Sequence, residues 1–308
     1  MRKKFPIVLA AVIAVLGVTA AAAAYLIQWN DKLAERFGAN EEQQNQLASD
    51  NAIASVDQTV TENGLTVTAV QTLGDKNGIY LLFDIKAPEG ITLSDTNLFE
   101  GTDVEIAGIS SGVNRSGGFM SDTDTNASAS GQANERYYML WLSNTEQEDW
   151  NGKKITVSFS DLQADKGKLD MYTVLEGEWE LSWTLSYMDE TQTFEINQSY
   201  DITGHEVLVE SIELSPLSMT IDLSGTGLEQ LIENAGLDEL GTLFTSSLML
   251  CDGTTFQSFG GPGSENWTKT EYSSTISFNK ILDVDQLTGL TLTFPSEKTN
   301  NIVAVTLP

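Results

Sequence analysis

Enzymatic chemistry calls for a nucleophile beside a base, a set of metal ligands or a phosphate cradle, and this 308-residue chain is poor in all three. It holds one histidine, His205, and one cysteine, Cys251. A lone histidine excludes multi-histidine metal sites; a lone cysteine excludes an intrachain disulfide and any cysteine-cluster zinc site. His205 follows Gly204 in what reads as a linker, and no G-x-S-x-G occurs, so a serine triad has no base in place. Cys251 falls on an expected strand, where a thiol behaves as a small hydrophobe. Ser121-Asp122-Thr123-Asp124-Thr125-Asn126 opens like a calcium loop, but position six is Ala127 rather than glycine and position twelve is Ala133 rather than glutamate. The stretch Asn114 to Gly131 reads instead as a flexible loop. Gly260-Gly261-Pro262-Gly263-Ser264 lacks the Gly-Lys-Ser/Thr ending that grips phosphates and reads as a turn. Paired carboxylates could serve a glycosidase, but with 44 acids their presence discriminates nothing. The expectation is a protein that is not an enzyme, with no catalytic residue, no cofactor and no metal.

Two tryptophans stand out as contact residues. Trp150 lies in Gln147-Glu148-Asp149-Trp150-Asn151-Gly152, and Trp267 in Ser264-Glu265-Asn266-Trp267-Thr268. Loop aromatics on a β scaffold can stack on sugars or anchor a partner. The competing reading folds each back over the core, since large aromatics usually bury most of their surface. Four N-x-[ST] matches, at Asn114, Asn126, Asn197 and Asn266, form too short a pattern to carry weight.

Charge narrows the partners. Sixteen Lys and Arg against 44 Asp and Glu leave a formal charge of −28 and a pI near 4.1. Nucleic-acid binding rests on Lys and Arg displacing condensed counterions, so nucleic acid is not a partner. Apolar residues at 41% against charged residues at 19% still allow a packed core, unlike the charge-dense composition of disordered chains.

The elements that would position any site begin at a membrane. Arg2, Lys3 and Lys4 precede an apolar run from Phe5 to Ile27, long enough as a helix (~34 Å) to cross a ~30 Å hydrocarbon core. Residues 1–4 are expected as a cytoplasmic stub and 5–29 as a transmembrane signal-anchor, with Tyr25 and Trp29 at the membrane interface and the bulk outside the cell membrane. A cleaved signal peptide is the rival, since Thr19 to Ala24 offers small residues, but apolar residues resume at Tyr25, Leu26 and Ile27. Residues 30–49, Gln/Glu-rich with only Leu33, Phe37 and Leu47 large and apolar, read as a helical stalk that Gly38 interrupts.

Beyond residue 50 the period changes to two. Leu65, Val67 and Ala69 alternate with threonines after the turn signal Asn63-Gly64. Ile79 to Phe83 is a continuous apolar strand, as expected of one buried on both faces. Trp179, Leu181, Trp183, Leu185 and Tyr187 share one face of a half-buried strand, and Gln192–Ile196 is expected to close a hairpin onto it through Asp189-Glu190. Further strands are expected at Val104–Ile109, Tyr137–Leu142 and Ile155–Phe159. After Gly204 the expected strands are Val207–Leu214, Leu217–Leu223, Ser246–Cys251, Ser273–Phe278, Leu290–Phe294 and Ile302–Leu307, with a helix over Leu228 to Leu240. Short strands separated by Gly, Asn and Asp turns predict an all-β protein of two tandem sandwiches, residues 50–203 and 204–308.

Several segments together resemble a known family: Phe37-Gly38 with Glu41-Glu42-Gln43-Gln44, Thr61-Glu62-Asn63-Gly64-Leu65-Thr66-Val67-Thr68, Tyr80-Leu81-Leu82-Phe83, Gly177-Glu178-Trp179-Glu180-Leu181, and Ile212-Glu213-Leu214-Ser215-Pro216-Leu217-Ser218. The chain is similar to the membrane-anchored extracytoplasmic proteins of Gram-positive bacteria whose outer region is a domain of unknown function found on anti-sigma factors. The resemblance implies two Ig-like β-sandwich domains, the C-terminal one included, and a role in envelope sensing or sigma-factor regulation. It brings no catalytic signature. Members of the anti-sigma type carry a cytoplasmic sigma-binding segment before the span, where this sequence has only Met1 to Lys4. The expected function is a membrane-anchored sensing or binding protein whose partners are the membrane and a cell-envelope protein or glycan. A structural or carbohydrate-binding cell-surface protein is the alternative.

Overall fold

A computed structural model describes residues 29–121, 132–146, 148–168, 170–236, 243–257, 263–295 and 301–308. The expected membrane span and Tyr25 lie outside the described residues, as do the calcium-like positions 122–131. Among the described residues no helix is long and apolar enough to cross a membrane.

The chain is predominantly β, in four antiparallel sheets. The first sheet has the order β1-β2-β3-β6-β5, formed by β1 (Ile53–Glu62), β2 (Leu65–Asp75), β3 (Gly78–Lys86), β5 (Val113–Phe119) and β6 (Glu135–Asn144). A second sheet, β4-β7-β8, comes from Leu98–Ile106, Lys154–Asp165 and Met171–Thr184. The Asn63-Gly64 signal is realised, with both residues at positive φ (51° and 83°) in the tight β1–β2 turn. These two sheets share one core built on Phe83, Phe99, Tyr138, Phe159, Trp150 and Trp179. The Trp179 strand alternates as expected: Trp179, Leu181, Leu185 and Tyr187 are buried, and the Trp179 indole N–H donates to the carbonyls of Glu62 and Leu65.

The third sheet has the order β14-β15-β11-β10-β9, and the fourth β13-β12-β16-β17. Their strands are β9 (Gln192–Ile202), β10 (His205–Leu214), β11 (Ser218–Ser224), β12 (Thr245–Leu250), β13 (Thr255–Gln257), β14 (Gly263–Trp267), β15 (Glu271–Ser277), β16 (Leu287–Phe294) and β17 (Asn301–Thr306). Both sheets contribute to a second core that includes Ile212, Ile221, Leu248, Phe278 and Leu290.

Several expectations are corrected. β9 pairs with β10, from Ile202 opposite His205 to Gln192 opposite Leu214, and not with β8. The turn between them, Thr203-Gly204 at φ 54° and 86°, is a tight hairpin turn, so the boundary expected there falls inside a hairpin. Sheet membership changes instead across residues 185–191. The stretch expected as a flexible loop begins with strand β5, whose Ser, Gly and Asn residues are held by main-chain pairing to β6 rather than by an apolar face. Trp267 lies on β14, and Cys251 sits exposed in the turn after β12 rather than on a strand. The expected helix is present as Leu228–Ala235, ended by Gly236 at φ 64°; positions 237–240 lie outside the described residues.

The largest revision concerns residues 30–49. They form two short helices, α1 (Asp31–Phe37) and α2 (Glu41–Ser49), each opened by an asparagine cap, Asn30 and Asn40. The pair packs as a clasp and does not stand free as a stalk. Trp29, Leu33, Phe37 and Leu47 join Leu73, Tyr80, Leu82 and Trp141 from the outer face of the first sheet, and Leu217 and Ile281 from the second unit, in a third core cluster. Phe37 meets Tyr80 edge-on at 4.8 Å. This explains why Ile79 to Phe83 is apolar at every position: Ile79, Leu81 and Phe83 face the first core, while Tyr80 and Leu82 face the clasp.

Phe37→Ala should therefore cost about 3–5 kcal/mol, as for other fully buried aromatics, while Glu41→Ala on an exposed position should stay within about 0.5 kcal/mol. Chemical denaturation of the full chain checks this; equal small effects would mean the segment is a loose stalk.

Candidate functional site

Among the described residues the helical clasp and both β units meet at one junction, the candidate site, built from two turns and two helices. The β2–β3 turn, Asp75-Lys76-Asn77-Gly78, docks against the β10–β11 turn, Ser215-Pro216-Leu217-Ser218. Asp75 is the centre of the contact. Its carboxylate accepts from the Ser215 and Ser218 hydroxyls on one oxygen, and from the backbone N–H of Asn77 (2.9 Å) and Gly78 (3.1 Å) on the other. The Asn77 amide donates to Ser218 Oγ at 2.9 Å, and Lys76 pairs with Glu213 at 2.7 Å. Burial pushes the Asp75 carboxyl above the usual carboxylate range, and the serine hydroxyls and Asn77 N–H oppose it. A buried carboxylate with four donors is costly to leave short of any one of them, which makes this contact specific to the two turns.

The clasp grips the second unit alongside. The Ile281 N–H donates to the Phe37 carbonyl, the Gln43 amide to the Ile281 carbonyl (3.1 Å), and Arg36 Nη1 to the Asn279 carbonyl (3.4 Å). At its other end the clasp is tied to the first sheet. The Asn30 N–H donates to Gln71 Oε1, and the Asn30 side chain donates to the Tyr137 hydroxyl at 2.9 Å. On the same sheet, Asp84 is pushed up to about 6, by burial first and then by the negative charge of Glu135, against the opposing pull of Lys86.

Chemically, this arrangement holds surfaces together. Ser215 is fully buried and already engaged with Asp75 and with the Leu217 and Ser218 N–H groups, so its hydroxyl is closed to a substrate. A cleft of about 480 Å³ between α2 and the second unit is lined by Glu42, Asp50, Glu190, Asp283 and Asp285 among others. Among the described residues no group of three or more His, Cys, Asp or Glu side chains is placed to hold a metal ion.

The residues singled out from sequence scatter. Trp150 is fully buried in the first core and is no contact platform. Trp267 remains 39% exposed on the edge strand β14. Trp29, expected at a membrane interface, is 4% exposed, packs in the third cluster and donates its indole N–H to the Gln44 carbonyl. His205 opens β10 rather than lying in a linker. Asp75, Ser215 and Ser218 were not singled out for any role; the only signal for them is two turn sequences, one a D-K-N-G and the other an S-P-L-S.

A predominantly β protein of two units clasped by a helical pair is the class that fold and site define. Residues 1–87 match the model of a domain of unknown function, DUF4179. That stretch takes in the apolar run, the clasp and the first three strands. Among solved structures, the conserved domain protein from Bacillus anthracis matches at a TM-score of 0.54 and 14% identity, covering 82% of this chain and 86% of its own; the likeness is one of fold. The N-terminal periplasmic domain of ScsB from Proteus mirabilis aligns over 83% of this chain and 98% of its own at 10% identity, with a TM-score of 0.25, too low to define a shared fold. No curated protein matches.

The Asp84 shift sets a pH dependence. A carboxyl whose folded pKa is raised from 3.8 to about 6 contributes stability that is fully present below about pH 4 and lost as pH rises through about 6. The denaturation midpoint of Asp84→Asn relative to the parent should therefore climb across that window and level off above it. A flat difference from pH 4 to 7 would contradict the assignment.

Proposed function

We propose that this chain is a membrane-anchored, extracytoplasmic sensing or binding protein, with two tandem Ig-like β-sandwich domains, resembling the outer arm of a Gram-positive anti-sigma regulator. The observation that carries the reading is the clasp. The segment that follows the apolar run is packed against both β units, so a change in how those units meet has a direct physical route to the anchor. Loops presented on rigid sheets suit recognition without chemistry. Two conformations of the junction, biased by a bound ligand, would complete the device.

A second reading, a structural or carbohydrate-binding cell-surface protein, rests on one residue: Trp267, exposed on an edge strand, offers an indole face of the kind on which sugars stack.

Gene deletion separates them. On the sensing reading, deletion changes transcription of an envelope-stress regulon, and a chromosomal Phe37→Ala variant of normal abundance reproduces that change. Unchanged transcription, together with wall-glycan pulldown abolished by Trp267→Ala, would establish the second reading instead.

A further inference from the structure

Among the described residues, part of the first sheet's outer face lies beyond the cover of the clasp. Between α1 and the edge strand β5 lies a cavity of about 320 Å³, floored by Tyr80, Met139 and Trp141, with Arg36 on the helical side and Ser116, Gly117 and Gly118 on the strand side. Gly118 pairs with Met139, and a Cβ built on it would meet nothing within 4 Å, so the strand adds no side chain over that part of the floor. The Trp141 indole N–H is buried without a partner among the described residues.

Arg36 is the unusual lining residue. Arg115 has Asp103 at 3.2 Å, yet Arg36 has no carboxylate within ion-pair distance among the described residues. Among the described residues Lys154, Lys166 and Lys280 likewise show no ion pair, but Arg36 is the base that lines this cavity. Among the described residues its hydrogen bond is the long one to the Asn279 carbonyl, and its guanidinium lies 5.7 Å from the centroid of the Phe37 ring. Guanidinium is a planar, permanently charged fork suited to a bidentate carboxylate, and the floor beneath it is aromatic and thioether surface. The volume falls at the small end of the range for small-molecule sites.

We propose that this cavity binds a small organic anion, a carboxylate carried on an apolar or aromatic body. Arg36 engages the carboxylate, and Tyr80, Met139 and Trp141 pack against the body. The site deepens the sensing reading and rests on it for its consequence: a ligand held by Arg36 touches α1 where α1 meets Asn279 and Ile281 of the second unit.

The probe is 4-(trifluoromethyl)benzoate, titrated against the full chain in detergent and followed by fluorine NMR, with empty micelles as the blank. Saturable one-to-one binding is expected, weakened about tenfold or more by Arg36→Met and only partly retained by Arg36→Lys, which keeps the charge but not the fork. The neutral amide analogue should bind parent and Arg36→Met alike. Gly118→Leu should block both probes; if that variant also melts lower, Arg36→Met alone decides. No saturable binding by the parent, or binding indifferent to Arg36→Met, would overturn the proposal. A failed titration leaves the transcription result standing, whereas normal binding with unchanged transcription leaves a ligand site without the regulatory role.

Discussion

Strands β3 and β6, at the middle of the first sheet, are apolar on both faces and have to be covered twice. The first sheet meets that demand on its inner face with the second sheet, and on its outer face with the helical clasp and the edge of the second unit. Everything else about the junction depends on this second covering. Helices of seven and nine residues have little stability alone in water, so α1 and α2 exist because the sheet gives them an apolar surface to lie on. In return they hold Leu217 and Ile281 of the second unit against the same cluster.

The apolar contact alone would let the two units slide. The polar knot at Asp75 supplies direction. Hydroxyls from Ser215 and Ser218 reach a carboxylate whose other oxygen is already held by its own turn, so only one register of the two turns satisfies all the donors. Backbone bonds between the clasp and residues around Ile281 add a second fixed point. The junction thus combines an unspecific apolar grip with specific polar pins, an arrangement in which small rearrangements change discrete partners rather than deforming smoothly.

Much of the β architecture was legible because period-two patterns are strong where one face is buried. The Trp179 strand is the clearest example, and the unbroken run from Ile79 to Phe83 correctly signalled burial on both sides. What covered its second face was not legible, since α1 and α2 carry only Leu33, Phe37 and Leu47 as large apolar residues amid glutamines and glutamates. Strands β5 and β14 were missed because edge strands are held by main-chain pairing and need no apolar alternation. The hairpin β9–β10 was misassigned although its turn was legible: Thr203-Gly204 carries the glycine that a tight turn at positive φ favours, and Asp189-Glu190 does not. The Asp75 knot showed itself only as two turn sequences: its serines lie 140 and 143 residues away, and one aspartate among 44 acids carries no mark of burial.

The central claim is that the segment after the apolar run is an integral part of the junction between the two β units. Amide hydrogen exchange on the full chain tests it most directly, because helices this short gain protection only through packing. Amides of α1 and α2, including those of Ala34 and Gln44, should exchange slowly and in step with β3 and β6. Exchange of those amides at the rate of an unstructured peptide, with β3 still protected, would contradict the account.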